Sequence, residues 1–472
     1  MIPVRSRSDS SSDSDLPNKN GLYYTKWGLV VVFSYLLVGD FCLQFMEAVL
    51  PSVMPLQLDA AGASNTLKAV ILGTTASFFN LILNPYISFK SDGMRTAWGR
   101  RRPILLFMTP FVCLALSLIA FAPEISKALQ GFGLGKIFQG GLLPHEPSMA
   151  MLVLTLAVVV IVFQIFNTLM QPIFYYLFID VVPDAYIGRF VACFRIVATA
   201  ASYVFNMWIF PSAMTHTREI YLGAAVLYGG GFLFMTLMVK EGTYPPPVHA
   251  NAITAWDKIR VYVKECYSHK HYLLFNARNA FLVLSFSSDM FIVFYLTKSL
   301  AIGLEDIGKV TANATLALLV LIYPFGILTD RFKPTRVSFA MMLIGLPMGL
   351  ICFFFLTDRA SYLVLGFAYL LVKSSIGSMD LPFYASIPPQ ERYGQFGSAN
   401  QIVCSLFLIP GAVLTGIVMD AVTQDGAHPE MYRYIYLWGF LLSGISTFLM
   451  YLFYRSWRRY GGPGNYIPPA VG

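Results

Sequence analysis

Lys90-Ser91-Asp92-Gly93-Met94-Arg95-Thr96-Ala97-Trp98-Gly99-Arg100-Arg101-Arg102-Pro103 is a charged break between two long apolar runs, and Gly326-Ile327-Leu328-Thr329-Asp330-Arg331-Phe332-Lys333-Pro334-Thr335-Arg336 is another. The flanking runs are about 20 residues long, the length at which a helix crosses a hydrocarbon core of roughly 30 Å. Such runs fill nearly the whole chain. They lie near 27–56, 65–89, 104–122, 149–180, 188–211, 218–239, 273–298, 309–329, 336–357, 359–386, 396–420 and 432–455, twelve in all. Of 472 residues 56% are hydrophobic and 12% charged, whereas soluble domains average about a half and a quarter, so the excess must face lipid. The expected fold class is an all-α polytopic membrane protein with twelve transmembrane helices.

Residues 1–25 are rich in Ser and Asp and lack an apolar core, so they read as a disordered tail and not as a cleaved signal peptide. Of the 33 Lys and Arg, 22 flank the spans on the side of this tail and 8 on the other, with Arg195, Arg278 and Lys373 inside spans. By the positive-inside rule both termini are cytoplasmic, in a multi-pass protein of the cell membrane. The net charge of +8 follows from that bias, and no basic soluble domain is visible that would bind nucleic acid. Cys42, Cys113, Cys193, Cys352 and Cys404 fall in spans and Cys266 in a loop, with no CxxC pair, so six free thiols are expected and no metal or other cofactor. His145, His216, His249, His269, His271 and His428 all fall outside the expected spans, and no long loop offers room for catalysis, so no enzyme is expected.

The stretch 241–272 is polar, with Pro245-Pro246-Pro247 followed by an amphipathic segment around Trp256 to Tyr267, and reads as a cytoplasmic linker. It divides a six-helix bundle at 26–240 from a second at 273–456, with a cytoplasmic tail at 457–472. The two charged loops occupy equivalent places in these pseudo-symmetric halves, after the second and the eighth span. A weaker echo follows the fourth and tenth, where Gly188-Arg189-Phe190 corresponds to Gly394-Gln395-Phe396. An Asp at a helix end and Arg residues in the next turn can latch neighbouring helices by charge-assisted hydrogen bonds. The candidate cytoplasmic gate is therefore Asp92, Gly99, Arg100, Arg101, Arg102, Asp180 and Arg189 in the first half, and Gly326, Asp330, Arg331 and Arg336 in the second.

Gly326, Asp330, Arg331 and Arg336 resemble the loop signature of the major facilitator superfamily. The first-half copy has Ser88 at the expected Gly and a longer Asp92-to-Gly99 spacing. Its Asp-x6-Gly-Arg-Arg-Arg-Pro, with Trp98 directly before the Gly, is similar to the loop of the glycoside-pentoside-hexuronide cation symporters and of the sucrose transporters. That resemblance implies two bundles around a central cavity lined by spans one, four, seven and ten.

Polar side chains inside lipid are costly, so those within spans are functional candidates. Asp40, Gln44 and Glu47 share one face of span one, and Gln164, Asn167 and Gln171 one face of span four. Span seven carries Asn276, Arg278, Asn279 and Asp289, and span ten Lys373 and Asp380. Lys373 and Arg278 could instead snorkel to an interface, and Asn167 could bond a neighbouring helix. Asp40 and Glu47 need a cationic partner or a proton to stay buried, and Arg278 and Lys373 on the opposite half are the expected partners. Arg195 reads equally as a partner of Asp180 or, as the resemblance implies, as a sugar-binding residue.

Sodium-coupled members of the resembled family carry Asp-x-x-x-Asp-Pro on span two, where this chain has Asn80-x-x-x-Asn84-Pro85. Amides keep oxygen donors but lose the charge that draws a cation. The family's span-four Asp-Ile-Pro-Phe-Trp corresponds to Gln171-Pro172-Ile173-Phe174-Tyr175, and a closer copy, Asp380-Leu381-Pro382-Phe383-Tyr384, lies in span ten. The expected function is movement of a sugar or glycoside by alternating access, through proton coupling or facilitated diffusion. Candidate substrate-binding residues are Asp40, Gln44, Gln164, Asn167, Gln171, Tyr175, Arg195, Asn279, Asp289, Lys373 and Asp380, with Asp40, Glu47 and Arg278 for proton coupling. The expected partners are a small-molecule substrate, a proton and the lipid bilayer, with the chain a monomer. Efflux of amphipathic compounds on the same fold and a non-transporting membrane sensor are the alternatives.

Overall fold

Among the described residues of the structure, a computed structural model, twelve helices are long and apolar enough to cross a membrane. They are Lys26–Ala60, Asn65–Ser88, Arg102–Ala120, Pro147–Val181, Asp184–Ser212, Thr217–Met238, Lys270–Ser299, Leu304–Phe332, Pro334–Phe355, Arg359–Ala385, Tyr393–Thr423 and Pro429–Arg459, spans 1 to 12 below. The structure describes residues 18–131, 143–242, 255–389 and 392–469, without the side chains of residues 18, 19, 89, 92 and 255–259. Most of the N-terminal tail, the Pro245–Pro247 run and the side chains of Asp92 and Trp256 therefore lie outside the described residues. The expected all-α class and span number are met. A spanning backbone must satisfy its own hydrogen bonds, which a helix does within one segment. Several starts carry proline in the first turn, among them those at Arg102, Pro147, Pro334 and Pro429, where its missing N–H costs nothing. Span 7 begins at Lys270, so His271 is inside it and fully buried, against the expectation that all histidines lie outside spans.

The chain forms two compact units, Met1–Ala63 with Ile82–Val248, and Ser64–Leu81 with His249–Gly472. Residues 64–81 thus differ from the expected division near residue 240. The reason is local to the second unit. Asp420 of span 11 accepts the backbone N–H of Asn65 and of Thr66, at 2.7 and 2.8 Å, and the Thr66 hydroxyl at 2.6 Å. The Asn65 side chain in turn accepts from the Tyr432 hydroxyl at 2.8 Å. Close approach requires Gly416, where an added Cβ would lie 2.5 Å from the Thr66 Cα. A carboxylate on the first free amides of a helix satisfies donors that the helix itself leaves unpaired.

Also in the second unit, the linker helix Ala255–Tyr267 docks on the start of span 11. The Tyr262 hydroxyl meets Ser398 Oγ at 2.7 Å, and the Tyr267 hydroxyl donates to the Ala399 carbonyl at 2.8 Å. Glu265 accepts from the Gln395 amide at 2.7 Å and pairs with Arg392 at 2.9 Å. The Gln395 amide, with Arg392 beside it, holds the Glu265 carboxyl below the usual range. Burial pushes the neighbouring Cys266 thiol up to about 11.

Candidate functional site

In the first unit, span 1 carries Asp40, which is fully buried. Its Oδ1 is 3.4 Å from the Gln44 amide one turn on, and its Oδ2 has no hydrogen bond. Glu47, two turns from Asp40, accepts from the Asn167 amide of span 4 at 2.8 Å. Among the described residues neither carboxylate has an ion-pair partner. Gln164 is buried on the same span as Asn167, and Gln171 is half-buried. Tyr175 packs against Phe174, Phe178 and Phe194 at ring separations of 5.7, 6.3 and 5.9 Å, so it belongs to an aromatic cluster between spans 4 and 5. Arg195 is exposed on span 5.

The loop after span 2 forms a latch in this unit. Arg100 holds Asp180, at the end of span 4, through two parallel bonds of 2.5 and 2.9 Å, and Arg101 adds a third at 3.2 Å. Such forked guanidinium–carboxylate bonds fix geometry as well as charge. Arg101 also bonds Ser91 and lies 4.9 Å from the Tyr176 ring, while Arg102 donates to the carbonyls of Thr236 and Leu237 at 2.7 and 3.3 Å. Asp180 therefore takes Arg100 and Arg101, and the alternative partner Arg195 does not reach it. Gly99 has φ +104°, a conformation that favours glycine, and a Cβ there would lie 2.5 Å from the Glu241 carboxyl carbon. Glu241 accepts the backbone N–H groups of Arg100, Arg101 and Arg102 at 2.8, 2.9 and 2.7 Å. It thereby caps span 3 with a full charge.

The second-half loop is different. Gly326, Asp330, Arg331 and Arg336 are all exposed, and none of the three charged side chains has an ion pair among the described residues. Arg331 lies 5.4 Å from the Phe332 ring, and the turn passes through Lys333 at φ 71°. The expected second latch is not formed within this unit. Arg189 is likewise exposed, 5.3 Å from the Tyr186 ring.

The charges of spans 7 and 10 pair with each other inside the second unit, and this corrects the expectation that Arg278 and Lys373 serve Asp40 and Glu47. Arg278 is fully buried and bonds Asp380 of span 10, the Asn279 amide oxygen at 2.7 Å and Ser338 Oγ at 3.1 Å. Its guanidinium lies 4.8 Å from the Phe383 ring. Asn279 donates to Asn400 of span 11 at 2.9 Å, and Asn400 to Asn276 at 3.0 Å. Lys373 bonds Asp289 at 2.6 Å, the Tyr369 hydroxyl at 3.0 Å and the Ser285 carbonyl at 3.0 Å. In a low-dielectric interior each cation is held by the nearest carboxylate, and packing of spans 7 and 10 supplies one for each. Neither cation snorkels.

Asn80 and Asn84 are half-buried, each with polar contacts of its own, and Ser88 bonds the Asn84 carbonyl and the Tyr176 hydroxyl at 2.7 and 2.9 Å. The sequence reading missed Asn400, Tyr369, Glu241 and Asp420. Asn400 is an amide inside an apolar run and was open to the same argument as Asn279. Glu241 and Asp420 lie near span ends, where charge is ordinary, and nothing in the chain marks their distant partners.

The model of the family of MFS/sugar transport proteins matches residues 35–404. No curated protein matches the sequence. Among solved structures, an inward-facing, unoccupied bacterial homologue of the human lysosomal transporter Spinster is 11% identical with TM-score 0.69, over 92% of this chain and 98% of that one. A D-xylose–proton symporter is 12% identical with TM-score 0.64, over 90% and 98% of the two chains. The nucleoside transporter NupG is 13% identical with TM-score 0.62, again over 90% and 98%. At these identities the likeness is one of fold.

Proposed function

The chain belongs to the MFS/sugar transport protein family, a family of multi-pass membrane transporters and not of enzymes, and we propose that it moves a sugar or glycoside together with a proton by alternating access. The observation that carries this reading is an asymmetry of charge. In the second unit the carboxylates of spans 7 and 10, Asp289 and Asp380, are neutralised by Lys373 and Arg278, whereas in the first unit Asp40 and Glu47 have, among the described residues, the amides of Gln44 and Asn167 and no cation. A buried carboxylate without a cation is the group that a proton neutralises at least cost.

Asp40, Gln44, Gln164, Asn167, Gln171 and Tyr175 of the first unit, and Asn279, Asp289, Lys373 and Asp380 of the second, offer the carboxylates, amides and aromatic faces that sugar hydroxyls and rings use. Arg278 sets the charge of the second group, and Arg195 of span 5 is a further candidate for the substrate. Asn80 and Asn84 in place of carboxylates favour a proton over sodium. The Asp180 latch with Arg100 and Arg101 serves as a cytoplasmic gate, in a monomer of the cell membrane with both termini cytoplasmic.

The test is a thermal-shift screen of the detergent-purified chain against sugars, glycosides, nucleosides and amphipathic drugs at acidic and neutral pH, with and without sodium. A ligand at 100 times its Kd adds about 2.7 kcal/mol. Stabilisation by a sugar that varies with pH, ignores sodium and disappears in Asp40→Asn is expected. A response confined to nucleosides or drugs would remove the sugar assignment, and sodium dependence would remove the proton.

A further inference from the structure

Where span 7 begins and span 12 ends, both within the second unit, the protein has a cavity of about 350 Å³. Three of its lining side chains are cations, Lys270 from span 7 and Arg455 and Arg459 from span 12. Arg455 and Arg459 are one helical turn apart, so like charges share a face, an arrangement that on its own is mildly destabilising. None of the three has an ion pair with an acid among the described residues. Cations elsewhere in the protein do, as Arg100 and Arg101 pair with Asp180 and Arg392 with Glu265.

The walls are held in place. His271 bonds Ser456 Oγ at 2.9 Å through one ring nitrogen and the Tyr466 hydroxyl at 3.0 Å through the other. His269 bonds the Tyr460 hydroxyl at 3.1 Å. The Tyr466 hydroxyl donates onward to the Ile387 carbonyl at 3.0 Å, and Tyr272 to the Pro469 carbonyl at 3.1 Å. The start of span 7, the end of span 12 and the segment after it are thus tied to one another around the opening. Ser456 and Tyr460 add hydroxyls to the lining beside the three cations.

The lining is ordered along the helices. Leu274 is one turn inward from Lys270, and Leu452 three residues inward from Arg455, so apolar surface begins roughly 4.5–6 Å deeper than the nearest charge on each helix. Cations at the helix ends, hydroxyls beside them and leucines one turn deeper reproduce the sequence of phosphate, polar linkage and acyl chain in a lipid. Basic recesses between transmembrane helices at a charged leaflet are suited to such headgroups. The geometry points to this cavity as a binding site for a phosphate group carried by an anionic phospholipid, with Lys270, Arg455 and Arg459 on the phosphate and Leu274 and Leu452 against the chain.

The experiment titrates the detergent-purified full chain with short-chain phosphatidylglycerol, short-chain phosphatidylcholine and inorganic phosphate, reading binding by native mass spectrometry and melting temperature. Phosphatidylglycerol is expected to bind at least tenfold more tightly than the other two. Arg455→Gln, Arg459→Gln and Lys270→Gln each weaken it about fivefold, the change that about 1 kcal/mol per basic side chain near a charged leaflet represents. Arg458→Gln, an exposed neighbour outside the lining, leaves it unchanged. Inorganic phosphate binding as tightly as the lipid would overturn the lipid assignment. Equal losses in Arg458→Gln, or none in the three lining variants, would overturn the site.

Discussion

Asp380→Asn removes one charge from the Arg278 pair while nearly preserving shape. The Arg278 side chain is 0% exposed and cannot reach water, whereas Asp380 is 23% exposed. Breaking a buried pair costs about 3–5 kcal/mol because the surviving charge is left uncompensated. Arg278 keeps Asn279 at 2.7 Å and Ser338 at 3.1 Å, which places the loss at the lower end, about 3 kcal/mol. At roughly 2–4 °C per kcal/mol for a unit of this size, the melting temperature falls by roughly 6–12 °C. The reverse variant, Arg278→Met, leaves a carboxylate that solvent can reach, so its loss is smaller, about 1 kcal/mol. Arg278→Met combined with Asp380→Asn removes both charges and restores most of the stability, giving a coupling of about 2 kcal/mol or more in the double-mutant cycle. The assay is thermal melting in detergent by tryptophan fluorescence, on parent, singles and double. Additive single losses, or an Asp380→Asn melting point equal to the parent's, would refute the reasoning.

Glu241→Ala strips the charged cap from three amides at the start of span 3 and should cost about 2 kcal/mol, seen as faster hydrogen exchange at residues 100–104. Asp420→Asn weakens the charge-assisted bonds to Asn65 and Thr66 and should cost about 2 kcal/mol in melting experiments, with Glu430→Gln, an exposed neighbour, as the unaffected control. The depressed Glu265 carboxyl stabilises the docked linker helix above the usual glutamate range, and that contribution disappears as pH falls through its lowered value. Glu265→Gln mimics the acid form at neutral pH and should speed alkylation of Cys266, whose burial otherwise keeps it slow; labelling read peptide by peptide that stays at the parent rate would count against docking through Glu265.

Much of this protein is determined by chain composition alone. A run of about 20 apolar residues has one stable form in lipid, so the twelve spans and the all-α class follow locally. The paired loops at Gly99–Pro103 and Gly326–Arg336 carried the major facilitator resemblance, and the family match over residues 35–404 agrees with it. In-span polar residues were legible for the same reason, since Asp40, Glu47, Arg278 and Lys373 are costly wherever the helix turns.

Partner choice was not legible. Arg278 and Lys373 could satisfy any carboxylate within a few ångströms, and only the packing of spans 7 and 10 places Asp380 and Asp289 there. Glu241 reaches the amides of Arg100 to Arg102 from about 140 positions away, and Asp420 those of Asn65 and Thr66 from about 355. A charged group's cost depends on whether it sits in lipid, which sequence reports; its relief depends on distance to another group, which falls off within a few ångströms and exists only once the helices have packed.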